Sequence, residues 1–248
     1  MPCLAAENGC LRVLDENKFF FHAVNQPHVI QKGGRKQMTS GCLIVCDGNN
    51  GAGKSSVIRA IEEFLLAKGC DVVVTREPGG TRIGEKIRDV VLDPSTPELC
   101  DTTELLLFAA ARAQHLKEKI LPAIASGKVV VCDRFTPATI AFQHYGRGIP
   151  LKLVQSINSF ALEGFSPDLN IILDVDPLIG MRRVASRGEA LDRMEMQKLD
   201  FLSKAREGFL KQAEESPETF RVIDASESFD VVSRNVLVTV DQLLARLG

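Results

Sequence analysis

Eight consecutive residues, Gly48-Asn49-Asn50-Gly51-Ala52-Gly53-Lys54-Ser55, carry the most explicit chemistry in the chain. The glycines let backbone N–H groups turn inward onto an anion. An apolar run, Leu43–Cys46, precedes the loop, and a helical stretch from Lys54 follows it. The helix start adds partial positive charge. Within that strand–loop–helix context the spacing G-x-x-x-x-G-K-[ST] is a phosphate cradle for a nucleoside triphosphate. The loop through Ser56 would hold the phosphates, with Lys54 reaching the β- and γ-phosphates and the Ser55 hydroxyl a ligand for Mg²⁺. The motif says nucleotide and leaves the reaction open.

Asp133 ends a second apolar run, Val129–Cys132. An acid there can hold Mg²⁺ directly or through water, or simply cap the next turn. Asp47, ending the first run, is a weaker candidate for the metal's outer shell. Arg76 and Arg134 each follow a strand-like run, and two guanidiniums at adjacent strand ends could clamp one phosphate bidentately. Taken singly, each would be an ordinary surface ion-pair residue. Phe108 and Arg112 are four apart and share a helix face, so an aromatic ring and a donor fork could receive a base with carbonyl oxygens. The alternative is a core phenylalanine beside a solvated arginine.

These residues need elements to position them. Candidate strands are 43–46, 71–75, 129–132, 170–175 and 221–223; candidate helices are 54–68, 81–90, 103–126, 151–162, 177–186 and 198–215. Apolar strands interleaved with helices predict an α/β fold with a five-stranded parallel sheet flanked by helices on both faces. Ligands in such folds bind at the carboxyl ends of the strands, where each motif falls. Residues 1–40 show no sustained periodicity and are expected to form a poorly ordered extension; Met38 stands as an alternative start. The expected domain is 41–248.

With 248 residues, 45% of them hydrophobic, the chain can bury a full core. A net charge of −2 excludes the broad basic field that binds nucleic-acid polymers. No apolar stretch approaches the roughly 20 residues of a membrane span. Seven cysteines without a C-x-x-C pair favour reduced thiols and a cytoplasmic location.

The phosphate loop, Thr75-Arg76-Glu77-Pro78-Gly79-Gly80-Thr81, Phe108-x-x-x-Arg112 and Asp133-Arg134-Phe135 together resemble the thymidylate kinase family, in order and spacing over nearly all of 41–248. The resemblance implies a nucleoside monophosphate kinase-like member of the P-loop NTPase class, ATP as donor with Mg²⁺, dTMP as acceptor and a homodimer. It implies that Arg76 and Arg134 hold the acceptor phosphate, Phe108 stacks on thymine and Arg112 donates to its O4. Thr139 would meet the pyrimidine edge, Phe142 would crowd the sugar 2′ position, and Gln143 would lie nearby. Asn50 stands where the family usually has an acid at the sugar 3′-hydroxyl.

The arginine-rich segment of about 182–197, broken by Gly188, resembles the family's lid, expected to be small and helical. No arginine occupies Asn49 or Asn50, so the chain resembles the branch in which a lid arginine, Arg187 or Arg193, reaches the transferring phosphoryl. Arg183 could lie against adenine. Ala190 looks like a one-residue insertion in this pattern. The alternatives are a P-loop ATPase or switch protein, which leaves the acceptor arginines unexplained, and a kinase of another deoxynucleotide or a deoxynucleoside.

Overall fold

The structure is a computed structural model, and it describes residues 41–247. The expected N-terminal extension, with Met38, lies outside the described residues. Five strands form one parallel sheet: β1 Cys42–Asp47, β2 Val72–Arg76, β3 Val129–Asp133, β4 Leu169–Asp174 and β5 Phe220–Asp224. Their spatial order is β2-β3-β1-β4-β5, every pair parallel. Each expected strand is present, within one residue or so at either end.

Alternation along the central strands explains why helices cover both faces. Cys42, Ile44 and Cys46 of β1, with Val129 and Val131 of β3, point into a core shared with helix α1, Lys54–Ala67, and helix α9, Phe229–Leu247. The intervening Leu43, Val45, Val130 and Cys132 point the other way, against Leu116, Ile120, Phe135 and Leu162. A side chain that switches sides every residue must find a partner layer on each. The three strand cysteines are buried free thiols. Burial, with nearby acids, pushes Cys42 up to about 12, and Cys46 and Cys132 also lie above their ordinary value for the same reason.

The expected single helix over 103–126 is α3, Asp101–His115, one wide π turn at Leu116–Ile120, and α4, Leu121–Ala125. Pro122 has no N–H to bond the carbonyl one turn back, so the last part of the helix is rephased. Two elements were not expected. One is α5, Thr136–Thr139, running into a π segment, Ile140–Gly146. The other is α9, whose Val-Leu-Val-Thr-Val run is strand-like by composition. Its buried Val232, Val236, Val240 and Leu243 nevertheless keep helical spacing. The remaining helices are α2 Arg82–Val91, α6 Leu151–Leu162, α7 Pro177–Ala185 and α8 Leu199–Glu215.

A third cluster packs Phe142, Phe201 and Phe209 between the π segment and α8, with Phe108 against its edge. The lid segment between α7 and α8 corrects the expectation of a helical lid: residues 186–198 carry only turns. Gly188 takes a left-handed φ of 70°, and the Asp192 carboxylate accepts from the backbone N–H groups of Met194 and Glu195, a local turn that competes with helix.

Candidate active site

All the motifs converge on one cleft at the carboxyl ends of β1, β2 and β3. Seven cationic side chains, Lys54 and six arginines, line it against five acids, although the whole chain is slightly acidic. Cationic character is thus concentrated at this site, which suits a strongly anionic ligand.

The phosphate loop forms the floor. Gly51 has φ 77° and lies against the backbone of Gly180 in α7, where either residue's Cβ would collide with the other's chain. Two side-chain-free positions let the loop lie flat on α7. Lys54 is buried, and its Nζ donates to the carbonyls of Gly48 at 3.2 Å and Asn49 at 3.0 Å. Burial, reinforced by the Arg134 guanidinium, lowers its ammonium to about 8. Among the expected phosphate ligands, Asn50 to Ser56 line the cleft, while Gly48 and Asn49 do not. The Asn49 side chain turns away to donate to the Leu202 carbonyl in α8.

Arg134 takes a left-handed φ of 68°, an uncommon and strained state for a residue with a Cβ. Its surroundings fix it there: Nη1 donates to Asp47 Oδ1 at 3.1 Å and to the Gly48 carbonyl, and Nη2 to Asn50 Oδ1 at 2.6 Å. The guanidinium also lies over the Phe142 ring at 5.1 Å. Asp47 accepts in addition from the N–H groups of Phe135 and Ala138. That corrects its expected part in the metal shell, because its oxygens are committed to protein donors. Its burial raises the carboxyl above its ordinary value, opposed by Arg134 and Lys54.

Arg76 sits half-exposed at the cleft mouth, paired with Glu85 at 3.0 Å. Beside it Arg88 in α2 donates to the Pro78 carbonyl and also lines the cleft. Arg88 was missed in the sequence; its spacing from Glu85 on one helix face is only that of an ordinary surface pair. Arg112 is more deeply held than expected. Its Nε donates to Glu77, Nη1 to Thr139 and Asn158, and Nη2 to the Phe135 carbonyl. Four of its five N–H groups are thereby engaged, leaving one on Nη2. Phe108, Thr139, Phe142 and Gln143 line the same cleft. Thr139 Oγ accepts from Arg112, so its own proton stays free to donate.

Asp133 and Ser55 both line the cleft, and Asp133 Oδ1 is a buried oxygen with no hydrogen-bond partner among the described residues. An orphaned carboxylate oxygen in a cleft that also carries a serine hydroxyl fits a hard cation that keeps most of its ligands as water and phosphate. On the other side of the loop, Arg183 donates to the carbonyls of Ala225 and Gly51, near Phe229 and Val232. The lid arginines separate. Arg187 lines the cleft and pairs with Glu195 at 3.0 Å; Arg193 does not line it and is tied to the Val91 carbonyl and to Glu104.

The family model "Thymidylate kinase" matches residues 46–236. The chain belongs to the thymidylate kinase family. It is 46% identical over 202 residues to the thymidylate kinase of Geobacillus sp. (strain WCH70), covering 81% of this chain and 96% of that protein. Against the thymidylate kinase of Pelotomaculum thermopropionicum it is 44% identical, over 82% of this chain and 94% of that one. Against that of Halalkalibacterium halodurans it is again 44% identical, over 84% and 100%. Membership agrees with a sheet of five parallel strands bearing a glycine-rich G-x-x-x-x-G-K-S loop beside a cationic cleft. Among the described residues no helix is long and apolar enough to cross a membrane.

Proposed function

We propose that this enzyme transfers the γ-phosphoryl group of ATP to dTMP, giving ADP and dTDP, and that the residues lining the cleft divide into donor, acceptor and lid sets. The observation that carries the reading is the convergence, in one cleft, of a phosphate loop and a second cationic wall, Arg76 and Arg134 at the neighbouring strand ends with Arg88 from α2. A switch NTPase needs only the first.

The loop N–H groups and Lys54 hold the donor phosphates, and Arg183 flanks the adenine side. Ser55 and Asp133 are the residues that would hold Mg²⁺, which would neutralise part of the phosphate charge. Arg134, with Arg76, grips the acceptor phosphate; its strained backbone and fixed partners place it without reorganisation at the moment of reaction. Phe108 offers a stacking face, and Arg112 and Thr139 each retain one N–H or O–H for the base edge. Phe142 fills the sugar side beside Arg134, where bulk disfavours a 2′-hydroxyl. Asn50 and Gln143 complete that wall. Arg187 closes on the transferring group. No general base is needed, since the acceptor phosphate is ionised at neutral pH. A lid that excludes water keeps ATP from being hydrolysed instead.

A cytoplasmic location and a homodimer complete the proposal. Leu106 on α3 and Leu153 and Phe160 on α6 are exposed apolar side chains on neighbouring helices, a surface suited to a second copy. The deciding experiment is ADP release with ATP and Mg²⁺ in the presence of dTMP, dUMP, dCMP, dGMP, thymidine or no acceptor. Turnover with dTMP that weakens with dUMP and vanishes with thymidine is expected. Equal release without acceptor would mean an ATPase and remove the acceptor set.

A further inference from the structure

Glu104 lies in the first turn of α3, outside the cleft lining, and is fully buried. A carboxylate without solvent must be met by donors, and this one is met by three side chains, two from the π segment and its end and one from the lid segment. Gln143 Nε2 donates to Oε1 at 2.8 Å, from the acceptor side of the cleft. Arg147, at the end of the π segment, donates through Nε to Oε1 at 3.2 Å and through Nη2 to Oε2 at 3.0 Å. Arg193 Nη2, from the lid, donates to Oε2. Burial would push the Glu104 carboxyl up, but these hydrogen bonds hold it below its ordinary value.

The lid is therefore two unlike limbs. In its C-terminal limb Arg193 also donates through Nε to the Val91 carbonyl and through its backbone N–H to that of Leu92, at the end of α2. Gln197 accepts from Arg147, whose guanidinium lies 4.6 Å over the Phe201 ring. Residues 188–191, by contrast, are all exposed, and Arg187 has an exposed ion pair to Glu195.

We propose that Glu104 is a positioning residue that serves both substrates' sides: it latches the Arg193 limb of the lid to α3 and orients Gln143 in the acceptor wall, leaving the Arg187 limb as the part that moves. This rests on the phosphoryl-transfer reading for the meaning of the two sides, though the latch itself is independent of it.

Backbone amide hydrogen exchange of the ligand-free protein tests the latch, comparing wild type, Glu104→Gln and Arg193→Met. Both variants should exchange about tenfold or more faster over 192–197, at least the loss expected from one charge-assisted hydrogen bond, with β1 and β3 unchanged. The double variant should exchange no faster than the faster single one. Either single variant exchanging like wild type over 192–197 overturns the latch. If Glu104→Gln does not fold, Arg193→Met set beside Arg193→Lys decides: lysine loses the Nε bond to Val91 but keeps a charge for Glu104, so only methionine should exchange faster, and equal exchange in the two overturns the latch. Glu104→Gln should also raise KM for dTMP several-fold more than it lowers kcat; an unchanged KM overturns the Gln143 half. Exchange is read without substrate, so a failed dTMP assay and a failed latch are separate results.

Discussion

The floor of the cleft and its lid hold their arginines in opposite ways. Arg134 and Arg112 are each tied to at least three protein groups on strand ends and neighbouring helices, and both are largely or wholly withdrawn from solvent. Among the described residues Arg187 has a single carboxylate partner, and its side chain is 44% exposed. The floor is charge arranged in advance, which costs no reorganisation during reaction. The lid segment's lightly held cation suits a part that opens, because a permanently closed site could not admit substrates. One fold thus supplies both tightly and loosely held cations, and the number of partners distinguishes them.

The largest effect should come from the mobile side. Arg187→Ala is expected to lower kcat by about 10³–10⁵, with little change in KM for dTMP and unfolding free energy within about 0.5 kcal/mol of wild type. Steady-state kinetics and urea unfolding read the two. If Arg193→Ala lowers kcat more than Arg187→Ala does, the assignment of mobile and fixed limbs is reversed.

The fixed side should respond in stability. Arg112→Met leaves Glu77, which is 5% exposed, with only His115 Nδ1 against its carboxylate among the described residues. Breaking a buried pair by removing one partner costs about 3–5 kcal/mol. Urea unfolding measures it; a loss below about 1 kcal/mol would mean that water reaches Glu77 and that the floor is less rigid than its contacts suggest.

Lys54 gives a pH-dependent version of the same comparison. Its ammonium is held near 8 in the fold against an ordinary 10.5. Between those values the unfolded chain binds more protons, so this group's contribution to stability rises with pH through that window. Buried Cys42, Cys46 and Cys132 act oppositely, because their thiols stay protonated in the fold while unfolded thiols ionise. The lysine is isolated by subtracting Lys54→Met. Wild type should gain on that variant by up to about 3 kcal/mol between below 8 and 10.5. A gap that does not move with pH would show that Lys54 is hydrated in the ligand-free cleft.

Why the floor was legible and the lid was not follows from where the information lies. Gly48 to Ser55 encode their geometry locally: glycines for the turn, an apolar strand before, a helix after. The five strands were legible because each carries a short β-branched run. Arg112 was legible as a cleft residue from its spacing to Phe108, but not as a buried anchor, because its partners Glu77, Thr139 and Asn158 lie 35, 27 and 46 residues away. Glu104 and Arg193 are 89 apart, and nothing local marks either as half of a pair. Helix α9 was hidden by composition, since packing of Val232, Val236 and Val240 on the sheet overrides the strand preference of valine.

Asn50→Asp should give the smallest effect, and it tests how completely the floor is already neutralised. Asn50 Oδ1 accepts from Arg134 Nη2, while Asp47 supplies that guanidinium's countercharge. A carboxylate at 50 keeps the same acceptor atom and adds a second negative charge. Since Arg134 is already paired, the gain in stability should be no more than about 1 kcal/mol. The added charge also lowers the positive potential offered to an acceptor phosphate, so KM for dTMP should rise by roughly two- to fivefold, under about 1 kcal/mol. That rise should shrink in high salt, because the cleft is open to ions. A KM change above about tenfold that ignores salt would instead mean that the Asn50 N–H groups contact the substrate directly, making residue 50 part of the fixed recognition surface and not merely a spacer for Arg134.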